Sequence, residues 1–352
     1  MERALLKNYS LAELEAWVES RGERRFRARQ LFRHLYARQA ASWGQCSDLG
    51  RAFREELEAD THLDVLELAD KQEAPDGTLK YLFSLLDGHQ IEAVFIPDAP
   101  RYTLCLSSQV GCALGCRFCL TGSLGFKRNL QVAEIVDQVC QVQRDLNPGI
   151  RLTNLVLMGM GEPLANYDAV VRALAIIQDP NGLAFSHRRI TLSTAGLVPQ
   201  MRRLGNESPV NLAISLHAAE DMIRAELMPI NHTYPLDELL TACRNYPIPA
   251  RKYITFEYLM LDGVNDGPAQ ARKLVRLLHG IRAKVNLIPF NEYSGSPYRR
   301  SSDQRIAAFQ EVLRMAHLTA TVRQSRGAGV GAACGQLVAR YNTTDTAGER
   351  LS

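Results

Sequence analysis

Apolar and polar positions divide the chain into three stretches. Up to about residue 60 the apolar residues keep helical spacing. Leu11, Leu14, Trp17 and Val18 predict one helix, with Ser10 placed to cap it. Phe26, Leu31, Phe32 and Leu35 predict a second, and Phe53 with Leu57 a third. From about residue 63 the period becomes that of strands. Leu66–Leu68, Leu79–Leu85 and Ile91–Ile96 read as short strands, with turns at Pro75-Asp76-Gly77 and Asp87-Gly88.

After Arg101 strand and helix alternate. Strands are predicted over Thr103–Ser107, Asn154–Met158, Arg189–Ser193, Asn211–Leu216, Ile254–Leu259, Lys284–Ile288 and Thr319–Gln324. Helices are predicted over Val132–Leu146, Tyr167–Ile177, Val198–Leu204, Leu236–Tyr246, Ala269–His279 and Asp303–Met315. That alternation implies an α/β fold of parallel strands with crossover helices, and leaves an open sheet and a barrel both available. In either, functional groups collect at the C-terminal strand ends. The expected organisation is a helical accessory domain over 1–62, a short antiparallel β linker unit over 63–100, the α/β domain over 101–340 and a polar, mobile tail over 341–352.

Composition adds limits. At 352 residues, with 46% hydrophobic and 22% charged positions, the chain is globular rather than disordered. No apolar run reaches the ~18 residues of a membrane helix. Glu2, Lys7, Glu13, Glu15 and Glu19 interrupt the start, which argues against a secretory leader and for a cytoplasmic protein. A net charge of +3 does not by itself demand a nucleic-acid partner. Local clustering does raise one: around Arg21, Arg24, Arg25, Arg27, Arg29, Arg33 and Arg38 the only acid is Glu23. Such a stretch is either a solvated helix face or a surface for phosphates.

The eight cysteines carry the chemistry. In a reducing compartment they act as ligands, nucleophiles or buried fillers rather than as a disulfide framework. Three fall together in Cys112-Ala-Leu-Gly-Cys116-Arg-Phe-Cys119, after the first α/β strand and beside Gly111 and Gly115. Three thiolates this close suit one soft metal centre. Zinc wants a fourth ligand, available only from a distant residue such as Cys105 or Cys140. A four-iron cluster on three cysteines keeps one iron open for a cofactor.

The CxxxCxxC loop is similar to the hallmark of radical S-adenosylmethionine (SAM) enzymes. The chain also carries Ser107-Ser-Gln-Val-Gly-Cys112, Gly125-Phe-Lys-Arg-Asn-Leu130, Met158-Gly-Met-Gly-Glu-Pro163, Thr191-Leu-Ser-Thr194, Ser215-Leu-His-Ala218 and Ala332-Ala-Cys-Gly-Gln-Leu337. With these motifs, from about Glu92 to Leu337, the chain resembles the RlmN/Cfr family of RNA adenosine methyltransferases. Its N-terminal helices resemble that family's accessory domain more loosely. The resemblance implies a partial (βα)6-type barrel. It implies a [4Fe-4S] cluster on Cys112, Cys116 and Cys119, with SAM on the open iron. Gly161, Glu162, Ser193, Ser215, Leu216, His217 and Asn291 become SAM contacts. Cys334 becomes the methyl-accepting cysteine, Cys105 the thiolate that resolves a covalent RNA adduct as a disulfide, and Glu92 a proton acceptor.

Read without the resemblance, several of these residues have plainer roles. Gly-Glu-Pro is an ordinary turn, His217 a satisfied structural histidine, and Glu92 an outward strand residue. Cys105 points either into the core or into the barrel lumen. Cys46, Cys140 and Cys243 have no place in the scheme and read as fillers. The implied product is adenosine methylated at carbon 2 in 23S rRNA, and in an anticodon loop of tRNA. Carbon 8 methylation, or another RNA, is the alternative on the same cysteines. Other classes are an iron–sulfur redox carrier and a zinc-stabilised RNA-binding protein. An electron donor such as flavodoxin or ferredoxin is the expected protein partner, and the chain is expected to be a monomer without membrane association. Lys127, Arg128, Arg299 and Arg300 join the N-terminal arginines as expected phosphate contacts. The match departs at Ala328-Gly-Val-Gly331, where the family commonly carries acids. That bears on how the loop docks and on which RNA is taken.

Overall fold

The structure, a computed structural model, describes residues 3–327, 329–333 and 335–337. The chain opens with a two-residue strand β1 (Ala4–Leu5), then helices α1 (Leu11–Ser20), α2 (Phe26–Phe32) and α3 (Arg51–Asp60), and β2 (Thr61–His62) pairs back onto β1. Ser10 caps α1 as expected. Its hydroxyl accepts from the Glu13 N–H while the Glu13 carboxylate accepts from the Ser10 N–H. The second helix continues past Phe32 as a π-turn over Arg33–Ala37.

Antiparallel strands β3 (Leu66–Glu73), β4 (Leu79–Leu85) and β5 (Gln90–Asp98) follow, and β5 pairs with β6 (Arg101–Cys105). A hairpin that sequence periodicity did not show, β7 (Gln109–Gly111) and β8 (Phe126–Asn129), brackets the cysteine loop and the one-turn helix α4 (Leu120–Ser123). Next come α5 (Val132–Asp145), β9 (Asn154–Leu157), α6 (Tyr167–Gln178), β10 (Ile190–Thr194), α7 (Val198–Glu207) and β11 (Asn211–Ser215). Then follow α8 (Asp221–Leu227), α9 (Leu236–Arg244), β12 (Ile254–Met260), α10 (Pro268–Leu277), β13 (Ala283–Pro289), α11 (Asp303–Met315) and β14 (Thr319–Val322).

Strands β6 and β9 to β14 are parallel and lie in chain order, each beside the last. One helical crossover between successive strands builds a wall of (βα) units, the partial barrel expected. β3 to β5 extend the same ten-stranded sheet beyond β6, and its two end strands, β14 and β3, do not pair. The linker strands are therefore part of the barrel wall.

The N-terminal unit is fastened to α5 by a buried ion pair. Lys7 bonds Asp137 and, at 2.7 Å, Asp64, with Lys7 and Asp137 both out of solvent. Burial alone would lower the Lys7 pKa, but the Asp137 and Asp64 carboxylates beside it outweigh that and raise it. Lys7 is thus held charged, burial raises the Asp137 pKa, and Asp137 also accepts from the Val65 and Leu66 N–H groups. No helix among the described residues is long and apolar enough to cross a membrane.

Candidate active site at the barrel mouth

Strand parity decides which side chains enter the lumen. Tyr81 bonds Asp145 of α5 at 2.7 Å, so its face of the sheet looks outward to the helices. Opposite it in register is Ala93, and Phe95 on the same face pairs with Leu104. The alternate positions, Lys80, Glu92, Val94 and Cys105, face the lumen together. Glu92 is not the outward residue that a charged strand position usually is. It is 3% exposed and paired with Lys80 at 3.3 Å. The same parity settles Cys105: it ends β6 on the lumen side, buried, beside the backbone of Val156.

The cysteine loop sits above these strands. Its entrance requires glycine: a Cβ on Gly111, at φ +73°, would fall 1.8 Å from the Gly125 carbonyl oxygen. The Cys112 N–H bonds that same oxygen at 3.0 Å and closes the loop's base. Leu114, Cys116 and Phe118 pack into a small apolar cluster of their own, with Ala195, Leu227, Met228, Leu259, Leu261 and Phe290. Arg117 bonds the Leu227 carbonyl at 3.0 Å. The loop is seated on the strand ends and on α8.

Whether these residues fit a cluster can be judged from the thiols' surroundings. Burial first, then the neighbouring Cys119 and Glu162, push the Cys112 thiol up to about 11. Cys116 is raised by burial and by its two partner cysteines, and Cys119 by burial. Without a cation these groups stay protonated, and a bound metal reverses that. Leu114 donates to the Cys112 sulfur, and Gly122 and Thr121 donate to Cys119, as thiolates require. Among the described residues no three ligands close on a single ion. Three buried thiols on one loop, each close enough to raise or feel another, form a donor set that fits a [4Fe-4S] cluster.

Beside the thiols stands the Gly161-Glu162 turn. Gly161, at φ +99°, has room for no Cβ, which would meet the Gln109 side chain at 2.5 Å. Glu162 is buried and accepts from the Ala195 N–H at 2.8 Å and the Leu164 N–H at 3.0 Å. Burial lifts its pKa to about 7, against the pull of those donors and of Thr194. Ser193 and Ser215 end β10 and β11 with their hydroxyls 3.5 Å apart. His217, at φ +58°, is buried with its ring edge-on to Phe118, the centroids 4.8 Å apart. Its Nδ1 accepts from the Leu259 N–H at 3.1 Å, so the neutral ring carries its proton on Nε2. Burial, then the Arg224 charge, hold its pKa down to about 3. Leu216 points into the main core instead and contributes only backbone at the mouth. Asn291 follows β13, accepts from the Ser325 hydroxyl at 2.5 Å, and receives Gln336 on its carbonyl.

The glycine-rich segment crosses this mouth. Gly327 bonds the Asp76 carboxylate at 3.1 Å, a Cβ on Gly331 would look at the Lys80 ammonium, and the Gly335 carbonyl receives the Leu120 N–H at 2.8 Å. Cys334 and Ala328 lie outside the described residues, as does the Cys105–Cys334 pairing, and no disulfide joins two of the described cysteines. Cys46, Cys140 and Cys243 are buried, with thiols pushed up by burial to about 11, 12 and 12, as fillers should be.

Two features escaped the sequence reading. Arg224 on α8 is fully buried and donates to the Leu216 carbonyl at 3.1 Å, Ser215 at 3.2 Å, Ala195 at 2.7 Å and the Asn231 amide oxygen at 2.8 Å. All four acceptors are neutral. Burial lowers its pKa to about 10. No local motif marks it. The second is a polar layer inside the barrel: Asn286 donates to Glu257 at 3.0 Å and accepts from Thr321 at 2.6 Å. The signal was there, as polar residues alternating with apolar ones in Thr255-Phe-Glu257 and Lys284-Val-Asn286.

Several expected phosphate contacts are already engaged. Arg128 grips Glu134 at 2.8 Å and Asp87 at 2.6 Å, and Arg300 pairs with Asp303. Arg21, Arg25, Arg27, Arg29 and Arg38 meet acids supplied by α1, α3 and the loops around them. Arg24 and Arg33 stand exposed.

Known proteins share this architecture. Residues 106–275 match the radical SAM superfamily, and residues 5–63 match a ribosomal RNA large subunit methyltransferase N-terminal domain. A dual-specificity RNA methyltransferase RlmN from Syntrophobacter fumaroxidans is 68% identical over 341 residues, 97% of this chain and all of that protein. The chain belongs to the RlmN family. The family's Geobacter sulfurreducens member is 50% identical over 97% of this chain and 94% of its own length. The crystal structure of a radical SAM methyltransferase from Sphaerobacter thermophilus superposes with a TM-score of 0.93 at 44% identity, covering 97% and 100% of the two chains. Family members are radical SAM RNA methyltransferases, enzymes that use a [4Fe-4S] cluster and SAM.

Proposed function

We propose that this chain methylates carbon 2 of a specific adenosine in 23S rRNA and of an anticodon-loop adenosine in tRNA. One observation carries the reading: the three thiols, the Gly161-Glu162 turn, the ends of β10 and β11, and the inward-facing Glu92 and Cys105 all open on one mouth. When bound, the cluster with SAM supplies one-electron reductive chemistry that no side chain can perform. Cys112, Cys116 and Cys119 hold it. Glu162, fixed by the Ala195 and Leu164 N–H groups, offers its carboxylate to the SAM ammonium, and Gly161 lets backbone approach. Ser193, Ser215, His217 and Asn291, with the backbone of Leu216, orient the rest of SAM.

Glu92, held beside the Lys80 ammonium at 3.3 Å, takes the proton from the adenine ring and becomes the neutral acid. Cys334 carries the methyl-derived carbon, and Cys105 attacks its sulfur, which frees the product and leaves a disulfide for an external reductant. Flavodoxin or ferredoxin is the electron donor in this scheme, and the enzyme works as a cytoplasmic monomer. Residues 1–62 serve as the accessory domain and the barrel as the catalytic one. The target base must leave any helix to reach the lumen, so loop RNA is the substrate.

The test is anaerobic turnover of unmodified 23S rRNA and tRNA, followed by nucleoside mass spectrometry. 2-Methyladenosine in both supports the proposal. 8-Methyladenosine transfers the chain to the carbon 8 alternative. No methylated adenosine, with the cluster intact, overturns it.

A further inference from the structure

Loops at the strand N-termini, opposite the mouth, carry a run of basic residues. Arg151 precedes β9, Arg188 and Arg189 precede β10, Arg251 and Lys252 precede β12, and Arg282 precedes β13. Hydrogen bonds make the run contiguous. Asn211, at the start of β11, bonds the Arg188 carbonyl at 2.9 Å, and Lys252 reaches the Pro209 carbonyl just before that strand at 3.3 Å. Arg282 bonds the Ile248 and Pro249 carbonyls at 2.6 and 2.7 Å. Among the described residues none of the six pairs with a carboxylate. Beyond partial burial, Arg188 repels Lys252 and lowers its pKa, and both cations depress His187. Tyr253 stands 55% exposed beside them.

Cations that repel one another with no acid to relieve them favour a polyanion. Arg128 and Arg300, by contrast, are paired with Glu134 and Asp87 and with Asp303. The N-terminal unit reaches the same end: Phe32 and Tyr36 lie against Gly182, in the loop leading to Arg188. We infer that the strand N-terminal face is an RNA-backbone docking surface, gripping phosphates of the substrate well away from the base held at the mouth. This rests on the RNA substrate proposed above. Strands β10, β12 and β13 are five to seven residues long, about 20 Å, a span that a folded tRNA exceeds. An acidic protein is the competing occupant.

The double variant Arg188→Glu/Arg251→Glu changes only surface side chains, and its thermal midpoint checks folding. Binding of a full-length tRNA transcript and of an isolated anticodon stem-loop is measured from 50 to 200 mM KCl. For the transcript, the log–log salt slope should become shallower by about 1.4 to 1.8, two phosphate contacts' worth, with weaker binding throughout. Binding of the stem-loop should stay as in the parent. An unchanged transcript slope overturns the inference and leaves the face to an acidic protein. Equal losses on both RNAs also overturn it, because they place the cations near the mouth. If the parent binds neither RNA, the functional reading falls with it.

Discussion

At the strand C-termini a guanidinium, a carboxylate and an imidazole are buried, and each is committed to named backbone groups: Arg224 to three carbonyls, Glu162 to two N–H groups, His217 to one. At the strand N-termini six cations lie near the surface, held at most by backbone carbonyls. Both ends terminate the same strands, so the fold does not impose the difference. A buried polar group that is satisfied by several partners has its geometry fixed by them. Surface cations fix nothing and remain free to meet a partner. Stability and function should therefore be entangled at one end and separable at the other.

Arg224 is where that entanglement should be greatest. Arg224→Met removes the donor that serves the Ala195 and Ser215 carbonyls and the Asn231 amide oxygen, while the Leu216 carbonyl keeps the Ala218 N–H at 2.8 Å. Each buried acceptor so orphaned costs ~1–3 kcal/mol, and after partial relaxation a loss of about 4 kcal/mol is expected. Arg224→Lys should recover only part, since an ammonium lacks the planar fork that reaches several carbonyls. Chemical unfolding reads both. A variant as stable as its parent would mean that the mouth is not rigidly built.

His217 gives the next effect, through pH. Its folded pKa of about 3 lies below the ordinary value of 6.5. The unfolded chain therefore takes up a proton that the folded chain refuses. The stability from keeping the ring neutral is complete above pH 6.5 and is lost as pH falls from 6.5 towards 3. The slope is about 1.4 kcal/mol per pH unit, best read between pH 6 and 5. His217→Gln should flatten that part of the urea-unfolding profile relative to the parent. An equal slope in both would place the ring in water.

These two residues also mark what the sequence conveys. Seven parallel strands and six long crossover helices were legible because burial on both faces, or on one, stamps a period on the residues themselves. His217 was legible as a candidate through its motif, but its left-handed backbone and committed Nδ1 were not. The β7–β8 hairpin is too short to show a period. Arg224 gave no signal because three of its four acceptors are main-chain carbonyls at or just past the ends of β10 and β11, brought close only by the fold. The partners of the N-terminal arginines were hidden for the same reason: Glu15, Asp48, Glu56 and Asp60 reach them from outside the window in which Glu23 stood alone. Pattern reports which face a residue prefers, whereas pairing depends on contacts distant in sequence.

Gly161→Ala tests the mouth at the scale of one methyl group. The new Cβ meets the Gln109 side chain at 2.5 Å on a backbone that L-residues rarely adopt. A cost of about 1–3 kcal/mol follows, and Glu162 must shift with its neighbour, so SAM affinity should fall as well. Gly267→Ala is the control, with open space around it and φ −78°. Equilibrium dialysis with SAM should separate the two. Equal affinities would mean that the Gly161 turn is not part of the site.

Arg251→Ser should show the smallest stability effect, and for that reason it tests the other half of the comparison. The side chain is exposed and meets no carboxylate among the described residues, so unfolding should change by no more than about 0.5 kcal/mol. If the strand N-terminal end grips phosphate, the same variant should lower the salt slope for full-length tRNA by about 0.7 to 0.9. A large stability loss would show that this end is built like the mouth after all. Unchanged stability with a shallower slope is the separation the geometry requires: an exposed cation whose partner is another molecule leaves its mark on binding alone.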